Sequence, residues 1–415
     1  MIASKNFLST YIKIHVSLRG AAFSTSILNK TSMKIEKPLQ LLEPMNVPPR
    51  LLMGPGPSNM RNDIQESTCK TLLGHLHPEF TKIMDDVREG IKYLFQTSNK
   101  LTFAVSGTGH AGMECALVNL LEKESKFLVI QNGLWGSRAA SLAKRMGVDV
   151  KVLEVENGKS ADIEEFKNVV KTYKPNVVFI CHGESSTGVM HPLNGFGKIC
   201  HDNNALLLVD TVASIGGAPF NSDELEIDCV YSATQKVLNA PPGLAPITFS
   251  DKAVEHIKKR KTPVASFYFD AMELGNYWGC YGEQRRYHHT GMISMVYALR
   301  AALADIVQEG IDCSVARHQK NAKILYKKLN EIGLEPFVEN ENLRLPCLTT
   351  VKVPENISWQ QVISCMMENG IEIAGGLGAT AGKIWRIGTF GQNSNQETIE
   401  KVTNQLKLCL EKQKK

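Results

Sequence analysis

Two residues near the middle of the chain carry the chemistry most readily read from it. Ala205-Leu-Leu-Leu-Val-Asp210 is a short apolar run that ends in a carboxylate, and Tyr231-Ser-Ala-Thr-Gln-Lys236 places an amine on the following loop. An apolar run ending in Asp reads as a buried parallel strand whose C-terminal tip faces the crevice where open α/β sheets bind ligands. An acid and an amine delivered to one crevice suit pyridoxal 5'-phosphate. Asp210 would keep the pyridine nitrogen protonated, making the ring an electron sink, and Lys236 would form the Schiff base. Taken singly, such an Asp is a common turn former and such a Lys a common solvated charge. The weight of the pair comes from its neighbours.

Those neighbours sit at other strand ends. Val105-Ser-Gly-Thr-Gly-His-Ala-Gly112 follows a β-rich run and precedes the helical run Met113 to Leu121. Glycines there let backbone N–H groups approach a phosphate, and the helix dipole adds attraction. The turn lacks the Gly-Lys-Ser/Thr of a Walker loop, and no spaced ribose-binding acid follows it, so a phosphate monoester fits better than a dinucleotide. Trp135, in Asn132-Gly-Leu-Trp-Gly136, is placed to stack on a flat heteroaromatic ring. Cys181-His-Gly-Glu-Ser-Ser-Thr-Gly188 offers hydroxyls to a ligand oxygen.

The elements that must position these loops follow a regular rhythm. β-rich runs at Leu101 to Ser106, Phe127 to Gln131, Val150 to Val155, Asn176 to Cys181, Ala205 to Val209, Cys229 to Ser232 and Leu244 to Phe249 alternate with helical patterns. This predicts an α/β fold with a mostly parallel sheet covered by helices. A helical stretch begins near Tyr297, and Lys/Glu-rich helices with strands at Thr349 to Val353 and Lys383 to Ile387 predict a smaller C-terminal α+β domain from about residue 310. Residues 61–309 then form the large domain and 310–415 the small one. The proline-rich stretch 35–60, ending in Met53-Gly-Pro-Gly-Pro-Ser-Asn59, reads as an extended arm able to lie across a partner subunit.

Composition narrows the classes further. The 415 residues are 43% hydrophobic and 21% charged, in globular proportions. Lys5, Lys13, Arg19, Lys30 and Lys34 precede the first acid, Glu36, and account for the whole formal charge of +5. The remainder is neutral, which argues against nucleic-acid binding through a general basic footprint. The acid-free, Ser/Thr-rich leader 1–34 has the composition of a mitochondrial transit peptide, with Met33 available as an alternative start. The chain does not end in a peroxisomal Ser-Lys-Leu signal. Ten scattered cysteines without a C-x-x-C pair predict reduced structural thiols, no zinc site and no disulfide. No apolar run is long enough to cross a bilayer.

Taken in order, Gly54-Pro-Gly-Pro-Ser-Asn, Ser106-Gly-Thr-Gly-His, His182-Gly-Glu-Ser-Ser-Thr-Gly, Leu208-Val-Asp-Thr-Val-Ala-Ser, Gln235-Lys-Val-Leu-Asn-Ala-Pro-Pro-Gly, Tyr287-His-His-Thr and Gly375-Gly-Leu-Gly closely resemble the alanine–glyoxylate (serine–pyruvate) aminotransferases of class V. The resemblance runs from about Pro48 to the C-terminal helix. It implies a fold-type-I pyridoxal phosphate enzyme, a homodimer whose active sites form at the subunit interface, acting on amino acids and 2-oxo acids. By that resemblance Lys236 is the cofactor lysine and proton shuttle, Asp210 pairs with the ring nitrogen, and Trp135 and Val212 flank the ring. Ser185 contacts its hydroxyl side. Thr108, Gly109, His110 and Gln235 hold the phosphate, with Tyr287 and Thr290 entering from the neighbouring subunit. Arg386, in Trp385-Arg-Ile-Gly388, binds the substrate α-carboxylate together with Ser185, and Gly74 and His75 lie on a mobile loop beside the substrate. Thr108 departs from the Ser of the vertebrate-like pattern but keeps the hydroxyl. Insect 3-hydroxykynurenine transaminases share nearly all these motifs. They tend to carry Ser-Asn in place of Gly74-His75 and Asp-Ser-Ser-Ser in place of Glu184-Ser-Ser-Thr187; both differences favour the glyoxylate reading, with the 3-hydroxykynurenine or kynurenine transaminase as the alternative.

Overall fold

The structure is a computed structural model, and it describes residues 35–413. The proposed leader, 1–34, lies outside the described residues. The chain divides into a unit ending at Pro48 and a second unit, Pro49–Lys415. Within the first, Leu39–Leu42 forms a 3-10 turn with exposed Leu39, Leu41 and Leu42.

The second unit is built on a seven-stranded sheet: β1 (Leu101–Ser106), β2 (Lys126–Gln131), β3 (Asp149–Glu154), β4 (Val177–Cys181), β5 (Leu206–Asp210), β6 (Cys229–Tyr231) and β7 (Leu244–Phe249), in the order β1-β7-β6-β5-β4-β2-β3. The central strands are apolar and wholly buried because helices cover both faces. All neighbours run parallel except β7, which is antiparallel to both β1 and β6. The strand positions agree with the sequence reading to within a residue, and the mostly parallel α/β fold is as expected. The reversal of β7 was not foreseen, because strand direction is set by the connection and leaves no trace in the strand's own residues.

Helices fill the connections. Of those that shape the site, α1 (Gly109–Leu120) follows β1 and α2 (Leu134–Arg145) follows β2. α3 (Ile293–Glu309) starts four residues before Tyr297, and α4 (Ile311–Glu331) follows it after Gly310. A three-stranded antiparallel sheet then forms from β8 (Leu348–Lys352), β9 (Ala374–Gly375) and β10 (Ile384–Gly388), in the order β8-β10-β9. α5 (Trp359–Glu368) and α6 (Gln396–Gln413) pack together beside it. One hydrophobic cluster gathers around the large sheet as far as Ile306, and another gathers Leu325, Val351, Trp385, Ile387 and Leu406.

Residues 51–59 lie against their own chain: Leu51–Leu52 pairs in parallel with Ile371–Glu372, Met53 enters the second core, and Ser58 bonds to the Lys236 loop. One expectation changes. The cysteines are not all free, because Cys365 on α5 and Cys409 on α6 form a disulfide, with Cα atoms 5.8 Å apart. The two residues are separated by 44 positions and meet only because α5 packs on α6, so spacing along the chain could not reveal the pair.

Candidate active site

Asp210 is the last residue of β5 and only 3% exposed. Parallel register sets it beside Tyr231 of β6, whose hydroxyl donates to Asp210 Oδ2 at 2.6 Å, and the Val212 N–H donates to Oδ1 at 2.8 Å. Burial pushes the carboxyl up to about 6, against these two donors and nearby Lys236. It remains ionised at neutral pH, as partnering a protonated pyridine requires.

Lys236 lies on the loop between β6 and β7. Ser58 secures that loop, accepting from Asn239 Nδ2 at 2.9 Å and donating through Oγ to Lys236 O at 2.7 Å. The Lys236 amine donates to Pro55 O and sits 5.7 Å from the centre of the Phe390 ring. Burial, then repulsion from Arg386, lowers the amine to about 8. A neutral amine is therefore accessible near physiological pH, the form needed both to attack a carbonyl and to take a proton. Gly56 makes this close approach possible: its φ is +110°, and a Cβ there would overlap Lys236 Nζ.

A cavity of about 130 Å³ joins the pair to the glycine turn, lined by Thr108, Gly109, His110, Met113, Trp135, Asp210, Val212, Gln235 and Lys236. Eight of these nine were singled out in the sequence, and Met113 is the addition. Thr108 caps α1 without a side-chain bond to the first turn, which carries no acid, so the positive end of the helix faces the cavity uncompensated. The wall is tight: a Cβ on Gly109 would lie 2.9 Å from Ala233 Cβ and 3.0 Å from Val212 Cγ2. Gln235 Oε1 is buried without a hydrogen-bond partner, a polar group aimed where a ligand donor or water would satisfy it. An anion-binding helix end, an indole at the rim, a buried carboxylate and a depressed amine together fit pyridoxal phosphate.

Arg386 reaches the same region from β10. It is 5% exposed and donates to Gly375 O at 2.8 Å and Ser185 O at 3.4 Å. Burial lowers its pKa to about 10, with Glu184 opposing. It forms no ion pair among the described residues. Ser185 Oγ accepts from Trp135 Nε1 at 2.8 Å, so ring platform and carboxylate binder share one segment.

Tyr287, Thr290, Gly74 and His75 do not line this cavity. Tyr287 is 56% exposed, its ring 5.0 Å from that of His75, and its hydroxyl is 3.3 Å from Thr290 Oγ1. Gly74 donates its N–H to His77 Nδ1 at 3.2 Å. Between Tyr287 and Thr290, His289 Nε2 is 2.7 Å from Ser106 Oγ, at the base of the glycine turn. Sequence reading gave no site role to His289, Tyr231 and Ser58, and used Glu184 only to tell related transaminases apart. Glu184 alone left a signal, an acid inside an otherwise hydroxyl-rich strand end.

Similarity to known proteins identifies the family. Residues 65–402 match the family model described as aminotransferase class-V. A protein of Oryctolagus cuniculus named alanine–glyoxylate aminotransferase is 46% identical over 378 residues, spanning 91% of this chain and 96% of its own length. One of the same name from Drosophila melanogaster is 43% identical, spanning 92% and 98%. The crystal structure of an alanine–glyoxylate aminotransferase from a Nostoc species superposes with a TM-score of 0.88 at 40% identity, covering 91% of this chain and all of that one. Glycine turn, strand-end Asp210, loop Lys236 and a family match across most of the chain converge on one conclusion: this chain belongs to the class-V aminotransferases, enzymes that depend on pyridoxal phosphate.

Proposed function

We propose that the protein transfers the amino group of L-alanine, or of L-serine, to glyoxylate, releasing pyruvate or hydroxypyruvate and forming glycine. The observation that carries this reading is Arg386: a buried guanidinium bonded to carbonyl oxygens and free of ion pairs among the described residues is a receptor for the carboxylate shared by all these substrates. The names of two similar relatives supply alanine as donor and glyoxylate as acceptor, and L-serine rests on the resemblance of the motifs.

Pyridoxal phosphate, when bound, supplies the electron sink that makes the substrate Cα–H acidic. The chain's own residues do the rest. Asp210 would hold the ring nitrogen protonated, and Trp135 and Val212 would confine the ring. Thr108, Gly109, His110 and Gln235 would hold the phosphate, and Arg386 and Ser185 would orient the carboxylate. Lys236, whose amine burial and Arg386 lower to about 8, would take the proton from the substrate Cα and hold it at Nζ.

In the same reading the enzyme is a homodimer in which Tyr287 and Thr290 complete the neighbouring phosphate site, and Gly74 and His75 border the substrate of one of the two sites. Tyr287 and Thr290 are exposed, Gly74 and His75 are half-buried, and none of the four lines the cavity of its own chain, which supports this. The acid-free leader supports import into the mitochondrial matrix and removal of glyoxylate there. We set the boundary between large and small domains near residue 310, a reading supported by the end of the large cluster at Ile306 and the start of α4 at Ile311.

The test is visible absorption of the cofactor-loaded protein. L-alanine or L-serine should bleach the band and glyoxylate restore it, while Lys236→Ala does neither. Bleaching chiefly by 3-hydroxykynurenine would replace this assignment with the alternative transaminase.

A further inference from the structure

Glu184 is the one buried acid at the site with no role assigned so far. It is 0% exposed and belongs to the short hairpin Gly183–Glu184 and Val189–Met190, just past β4. Three donors converge on it: Ser186 N–H at 2.9 Å and Ser186 Oγ at 2.6 Å on Oε1, and the Trp135 N–H at 3.1 Å on Oε2. The Leu134 N–H donates in turn to Ser186 Oγ at 2.9 Å. These are the first N–H groups of α2, a helix whose own first turn contains no acid. Glu184 and Ser186 therefore cap α2 from a segment about fifty residues away, where the helix dipole favours an anion. Gly133 leaves the room: a Cβ there would lie 2.5 Å from Glu184 Cγ and Cδ.

The same three residues, Glu184 to Ser186, grip both ends of the catalytic apparatus. Trp135 is held through its main-chain N–H by Glu184 and through its indole N–H by Ser185, which fixes backbone and ring at one point each. Ser185 O accepts from Arg386, and Ser186 O accepts from Thr380 Oγ1 at 3.2 Å. Burial raises the Glu184 carboxyl to about 7 against its three donors, so it is only partly ionised at neutral pH, and its charged form favours the Arg386 cation.

We infer that Glu184 is a positioning residue that sets the cofactor-stacking indole and the carboxylate-binding guanidinium in one frame, by capping α2 and anchoring the Glu184–Ser186 segment between them. The inference deepens the aminotransferase reading and rests on it for the role of Arg386. Glu184 touches no reacting atom. It acts through Trp135 and Arg386, and so it governs binding geometry.

The test uses Glu184→Gln, which keeps length and removes charge, turning an NH₂ towards one of the donors. Expected are a tenfold or greater rise in cofactor Kd, loss of most of the visible circular dichroism of the bound cofactor, and a tenfold or greater rise in KM for L-alanine with kcat changed less. Ser186→Ala, which removes one donor to Glu184 and the acceptor of Leu134 N–H, should move all three the same way by a smaller factor, and it decides the matter if Glu184→Gln does not fold. Cofactor Kd, dichroism and KM all within twofold of wild type, with only a lowered melting temperature, would overturn the inference and leave Glu184 a structural residue. If wild type itself fails to respond to L-alanine, the proposed substrate is wrong. The dichroism and cofactor Kd of the variants then still judge Glu184.

Discussion

Lys236→Met should abolish transamination and yet stabilise the cofactor-free protein. The amine is lowered from its ordinary value of 10.5 to about 8, first by burial and second by Arg386. At about 1.36 kcal/mol per tenfold, holding that cation in place costs about 3 kcal/mol at pH 7. Met has similar length and no charge, so the cost disappears. Pro55 O loses its donor, which offsets about 1 kcal/mol, and the net gain is about 2 kcal/mol. Because the folded protein releases this proton near pH 8 and the unfolded chain near 10.5, the unfolded state holds more protons between those values, and wild-type stability rises with pH across that window. The advantage of the variant is therefore full below pH 8 and fades towards pH 10.5. Thermal unfolding of the cofactor-free wild type and variant at intervals from pH 6.5 to 10 reads this directly. No gap at pH 7, or a gap that does not change with pH, would refute the claim that a desolvated cation is stored at Lys236.

Three further outcomes follow from the same geometry. Arg386→Lys replaces a fork with a point charge, so KM for L-alanine should rise roughly 10- to 100-fold in steady-state assays while the absorbance of bound cofactor stays unchanged. Tyr231→Phe removes the 2.6 Å donor to Asp210 Oδ2, which raises the carboxyl further above about 6 and should shift the acidic limb of the pH–activity curve to higher pH. Gly109→Ala brings a methyl group against Ala233 and Val212, and should weaken cofactor binding about tenfold or more by equilibrium titration while far-ultraviolet circular dichroism is retained.

What the sequence disclosed and what it withheld divide along a physical line. Leu206–Asp210 was legible because a strand buried on both faces must be apolar throughout, and its polar last residue stands out against that run. Lys236, Thr108 to His110 and Trp135 were legible for the related reason that parallel strands deliver their following loops to one edge of the sheet. Each can be found from residues adjacent in the chain. Tyr231 could not: it reads as an ordinary strand aromatic until the register of β6 on β5 places its hydroxyl on Asp210. The reversed β7, the Cys365–Cys409 bond and the Ser58 anchor of the Lys236 loop fall in the same class, each joining segments that only the completed fold brings together. Glu184 lies between the two. An acid three residues past a wholly apolar strand stands where the chain can bury it, and a buried carboxylate requires donors or a countercharge. The sequence reading treated its neighbours Ser185 and Ser186 as the chemically interesting groups, because hydroxyls can meet a ligand. Their role toward the helix was hidden because the capped helix, α2, begins about fifty residues earlier. The contacts that aim the site's side chains are thus mostly tertiary, whereas the groups that perform its chemistry are mostly local.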